Sequence, residues 1–106
     1  MSTPNYLDPL VLSSLAPRLR DLMGNCSVRE AAQCCMAVAT AIQENPKQGP
    51  RLMGLACAFL LAAEQSGISV TDMMAYARNC MNDAEGKRPE FAATAEYINK
   101  EIINGK

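Results

Sequence analysis

The chain has 106 residues, 49% of them hydrophobic and 20% charged, with a formal net charge of -1. That is the profile of one globular domain, neither disordered nor cationic enough to coat a nucleic-acid duplex. Histidine is absent, which excludes Ser-His and Cys-His nucleophile pairs, histidine general bases and every histidine-containing metal site.

The opening segment, Met1 to Tyr6, shows no basic region followed by an apolar run, so no secretory signal is expected and a cytoplasmic protein is. Asp8 and Pro9 then offer an N-cap and a first helical residue, and Leu12, Leu15, Leu19 and Leu22 continue at helical spacing over 9–23. Pro17 falls inside this run. An interior proline costs about 3 kcal/mol, so a break is expected near Ala16, splitting the element into two short helices. Gly24 closes it.

The second helix, over 28–44, has the clearest start in the chain. Ser27 and Glu30 are spaced as a capping box, and Asn45-Pro46 stops the helix because a residue before proline is pushed out of the α region. Val28, Ala32, Cys35, Ala39 and Ile42 form a seam of mostly small side chains suited to a close, near-parallel neighbour.

Gly49-Pro50 opens a third helix over 50–66, and from Leu52 to Ala63 it is apolar on every face. A helix of that kind is expected to be surrounded, so it is placed at the centre of the fold, covered by its own chain or by further copies. The apolar stretch is about 18 Å long as a helix, short of the roughly 30 Å of a bilayer core, so no membrane span is expected. Gly67 ends this helix in a left-handed cap, and Ser69 caps a fourth helix over 70–84. Pro89 opens a fifth over 89–103, with Phe91, Ala95, Ile98 and Ile102 facing inward and Glu96 paired to Lys100 on the wet side.

Period-2 alternation is missing throughout, and the loops are short. The sequence therefore predicts a single all-α domain over 1–106: a compact bundle of five helices, or six short ones if Pro17 splits the first, around the central apolar helix 50–66. The five cysteines, Cys26, Cys34, Cys35, Cys57 and Cys80, are odd in number and contain no C-x-x-C spacing. They read as reduced core thiols, not as a disulfide framework or zinc site. No metal and no cofactor is expected.

Three sets of residues invite a function. Lys47 and Arg51 flank one helix start and Lys87 and Arg88 precede another, where free amides and the helix dipole favour an anion such as a nucleotide phosphate. Ala63, Gly67 and the helix after it match the needs of a helix-turn-helix, with Arg78, Asn79 and Asn82 as the residues able to meet DNA. The adjacent pairs Cys34-Cys35 and Met73-Met74 each contain one residue that a single core cannot absorb, since helical neighbours diverge by about 100°. Cys34 and the Met73-Met74 pair are accordingly read as interface residues. The leading expectation is a non-enzymatic bundle that associates with itself and binds and modulates another macromolecule, in the manner of an inhibitor or counter-defence factor of bacterial viruses. A DNA-binding regulator is the first alternative, and a binder of a small anion the second.

Overall fold

The computed structural model describes residues 9–104, with side chains from residue 15 onward. Asp8 and the last two residues, Gly105 and Lys106, lie outside the described residues, as does the Leu12 side chain. The fold is an all-α bundle whose elements follow the punctuation of the sequence: α1 Pro9–Gly24, α2 Val28–Gln43, α3 Gln48–Ser66, α4 Val70–Met81 and α5 Pro89–Tyr97. A π-helical segment, Ile98–Ile103, continues α5, and two-residue strands β1 (Asn82–Asp83) and β2 (Gly86–Lys87) separate α4 from α5.

The caps explain most of these boundaries. The Ser27 hydroxyl accepts from the Glu30 amide at 3.3 Å and the Ser69 hydroxyl from the Asp72 amide at 3.1 Å, each satisfying an orphan donor of a first turn. Gly67 adopts φ 75° and returns its amide to the Ala63 carbonyl, which closes α3 in the left-handed conformation that glycine takes without strain. The corner is stapled further by Ser66, whose hydroxyl donates to the Ala63 carbonyl at 3.1 Å and accepts from the Ile68 amide at 3.2 Å. Ile68 is thereby turned inward and fully buried.

α3 starts at Gln48, two residues before the expected Pro50, and two features depart further from expectation. α1 runs unbroken through Pro17. Pro17 is exposed, so its ring forfeits one backbone bond of the helix without being forced into the packed interior. α4 stops at Met81 instead of 84, because a small antiparallel hairpin forms with Asn82 opposite Lys87 and Asp83 opposite Gly86. The Asp83 carboxylate accepts from the Glu85 amide at 2.8 Å, and Gly86 takes φ 122°, so a local Asx turn outcompetes another half-turn of helix.

The interior is assembled largely from α2, the α3–α4 corner and the C-terminal part. Ala32, Ala39, Ala63, Ile68, Phe91 and Ile102 are its buried apolar residues. The α2 seam lies as the spacing predicts, with Ala32 and Ala39 buried and Val28, Cys35 and Ile42 half-buried. On α5 the inward side is centred between Phe91 and Ile98, which takes in Thr94 and leaves Ala95 exposed, a correction to the expected stripe. Glu96 and Lys100 pair at 2.8 Å on the outside, as their spacing requires.

α3 gives the largest difference. It does touch α1, α2, α4 and the π-helical segment, but the described residues do not enclose it. Only Arg51 and Ala63 are buried along its length, while Leu52, Met53, Leu60 and Leu61 are 45%, 66%, 49% and 56% exposed. Its buried and half-buried residues, Arg51, Phe59, Ala63 and Ser66, fall on one side of the helix, and the exposed leucines and methionine extend round the other.

Candidate functional site

The most tightly held polar group is one the sequence offered as half of an anion site. Arg51 sits in the first turn of α3, is 5% exposed, and is turned into the protein. Its Nε donates to the Asn45 carbonyl at 2.5 Å and one terminal nitrogen to the Gln43 carbonyl at 2.9 Å. The other donates to the carbonyls of Glu101 at 2.9 Å and Ile102 at 3.3 Å. These carbonyls belong to the C-terminal ends of α2 and of the π-helical segment, where the helix dipole is negative, so a buried cation is compensated without any carboxylate. Arg51 is therefore not available beside Lys47 to hold an anion, and the first expected basic pair does not assemble. Lys47 is exposed and contributes its backbone as the N-cap of α3. Around the same junction the Tyr97 hydroxyl donates to Gln43 Oε1, and Gln43 Nε2 donates to Glu101 at 3.2 Å.

The second basic pair separates as well. Lys87 lies exposed on β2. Arg88, the N-cap of α5, turns back over α4 and donates to the Asn79 carbonyl at 3.4 Å. It borders a pocket of about 280 Å³ between the end of α1, the start of α2 and α4, lined also by Cys26, Tyr76, Asn79 and Cys80. The Arg88 Nε is buried, and no acceptor meets it among the described residues. Chemically this pocket offers a guanidinium, an aromatic face and two thiols. Nothing in the sequence brings these positions together, since the pocket depends on how α1 and α4 meet.

The corner between α3 and α4 has the geometry of a helix-turn-helix: the chain turns by 112° from α3 to α4, inside the range of about 90–120° for that motif. Arg78 and Asn79 are exposed on α4. Asn82 is half-buried, and its side-chain amide donates to the Arg78 carbonyl at 2.9 Å, so it caps α4 instead of projecting toward a ligand. Asp72, the acid of that helix, is paired with Arg20 of α1 at 2.9 Å.

The adjacent apolar pairs split as helical geometry demands. Cys34 is exposed while Cys35 enters the seam, and Met74 is 40% exposed while Met73 is half-buried. All five cysteines are free thiols. Burial, and secondarily the neighbouring Cys80, pushes the Cys35 thiol above its ordinary value, which disfavours its thiolate.

What remains is the outer side of α3. Helical periodicity brings Met53, Gly54, Cys57, Leu60 and Leu61 onto one strip, opposite the side on which Ala63 and the half-buried Phe59 face the core. The strip bears no charge, and a Cβ added at Gly54 would meet nothing within 4 Å. It is an uninterrupted apolar surface on a rigid helix. Among the described residues no single helix is long and apolar enough to cross a membrane.

No protein-family model matches the chain, and neither do curated proteins or solved structures.

Proposed function

We propose that this protein is a non-enzymatic helical bundle that associates with itself and acts by binding another macromolecule. The observation that carries the reading is the apolar outer side of α3, where Met53 is 66% and Leu61 56% exposed on a regular helix. Exposed apolar surface that is contiguous, rigid and uncharged is costly in water and is characteristic of interaction sites. The split pairs add Cys34 and Met74, exposed on α2 and α4, as further apolar positions outside the core, and an exposed methionine suits an adaptable contact. Light scattering at micromolar concentration tests self-association directly: a multimer is expected, and a strictly monomeric particle overturns the reading. Affinity capture from the native host, followed by mass measurement of the intact complex, then separates protein from nucleic-acid partners.

A second reading has its own support in the 112° corner between α3 and α4 and the exposure of Arg78 and Asn79. As a DNA-binding regulator the protein would shift a duplex at low salt and release it as salt rises, and Arg78→Ala would weaken that binding. Absence of any shift at low salt removes this reading.

A further inference from the structure

The outer side of α3 is an apolar strip with a cation, Lys47, at one end and an anion, Glu64, at the other, which makes it complementary to a second copy of itself run antiparallel. Cys57 lies at its centre. Three residues before and after it stand Gly54 and Leu60, four residues before and after stand Met53 and Leu61, and seven before and after stand Pro50 and Glu64. All seven share one side of the helix by its period, and Cys57 is on the line opposite the buried side. We propose that α3 pairs antiparallel with α3 of a second copy of the chain, across a two-fold axis at Cys57, an assignment that rests on the self-association reading above.

Antiparallel pairing about that axis sets Met53 against Leu61 and Gly54 against Leu60 of the other copy. A small residue then receives a large one on each side, and Gly54 and Cys57 let the two helices approach closely. Charge selects the direction. Lys47 and Glu64, both exposed, bracket the uncharged stretch from Leu52 to Ala63. An antiparallel pair brings each Glu64 to the positive N-terminal end of the other α3 and within reach of its Lys47, whereas a parallel pair sets like charges side by side.

The test follows thiol reactivity and mass together on the full chain, alkylating with iodoacetamide over a dilution series and mapping the modified cysteines. The expected result is a dimer in which alkylation of Cys57 slows about tenfold once nine-tenths of the chains are paired, by mass action. Cys26, also exposed but ahead of α2 and off this strip, serves as the reference and keeps one rate throughout. Leu61→Glu is expected to give a monomer with unchanged helical circular dichroism and unprotected Cys57. If that variant loses its helical signal, Cys57 protection in the natural sequence decides. A dimer with Cys57 reactive at every concentration overturns this interface while self-association stands, and a monomer at every concentration overturns both.

Discussion

α2 and α3 are neighbours of similar length and similarly rich in alanine, and they end up in opposite situations. α2 buries a continuous seam between α5 and the C-terminal segment, whereas α3, the more apolar of the two, leaves most of its surface uncovered. The difference lies in where the polar residues fall. On α2, Arg29, Glu30, Gln33 and Thr40 occupy the side away from the seam, so the helix has one orientation in which both sides are satisfied. From Leu52 to Ala63 α3 has no polar residue to declare an outside. Its orientation is set from its ends, by the buried Arg51 at the start and by Ala63 and the Gly67 corner at the finish. Apolarity alone makes a helix seek cover; it does not say which molecule provides the cover.

The largest effect is expected at the anchor that holds α3 against α2. Arg51→Ala removes a guanidinium that satisfies four backbone carbonyls in a buried junction, and hydrogen bonds to a charged donor are worth about 1.5–3 kcal/mol each without being additive. A loss of at least about 3 kcal/mol is expected in chemical denaturation. Arg51→Lys should recover only part of it, because an ammonium cannot reproduce the planar fork that reaches both helix ends. Equal stability of Arg51→Ala and the natural chain would remove the clamp from this description.

Matched substitutions sharpen the contrast between the helices. Ala39, 2% exposed in the α2 seam, borders an apolar pocket of only about 70 Å³, too small for an aromatic ring, so Ala39→Phe is expected to cost about 1–3 kcal/mol by overpacking. Ala58→Phe on the open part of α3 should stay within about 0.5 kcal/mol. Thermal melts of the two variants measured side by side check this, and similar losses in both would mean that α3 is packed as closely as α2.

The adjacent thiols of α2 give a finer probe. Cys34 should alkylate readily and Cys35 slowly, at neutral pH in the folded protein. Because burial raises the Cys35 pKa, the unfolded thiol ionises first as pH rises. The folded state is then unaffected by this group below the ordinary thiol range and loses stability above it. Peptide mapping after brief alkylation reads the order of reaction, and equal rates would place Cys35 outside the seam.

The smallest effect concerns Glu96 and Lys100, on the solvent side of α5 and its π-helical continuation. The hydrogen bond from Lys100, reinforced by its charge, lowers the Glu96 pKa, and the same contact raises that of Lys100. The contribution of Glu96 is therefore present above the ordinary carboxylate range and lost as pH falls through its folded value, and salt should weaken it. Titration followed by NMR should show Glu96 moving to its ordinary value in Lys100→Ala; an unmoved value would disconnect the pair.

Much of the architecture was legible because local chemistry and tertiary structure agree at those positions. Ser27, Ser69 and Gly67 cap where their side chains or φ values require, and the α2 seam follows from spacing. The division of Cys34 from Cys35 and of Met74 from Met73 follows from the helical turn per residue. What escaped sequence reading depended on contacts distant along the chain. Pro17 is tolerated because it faces outward, a fact no local rule supplies. The hairpin at Asn82 to Lys87 is too short to show alternation and turns on one Asp83 hydrogen bond. Arg51 read as a cation free to hold an anion because its acceptors are backbone carbonyls, which carry no residue-type signal, and two of them lie 50 and 51 positions further along the chain. The pocket at Arg88 likewise exists only once α1 and α4 have met.

That reach from residue 51 to residues 101 and 102 has a consequence for how the chain matures on the ribosome. Until the π-helical segment has emerged, the guanidinium can find the carbonyls that close α2 but lacks its remaining acceptors, so a chain cut short of residues 101 and 102 carries an incompletely compensated cation. Closure of this junction thus waits for that segment, and products lacking it should be selectively open to proteolysis.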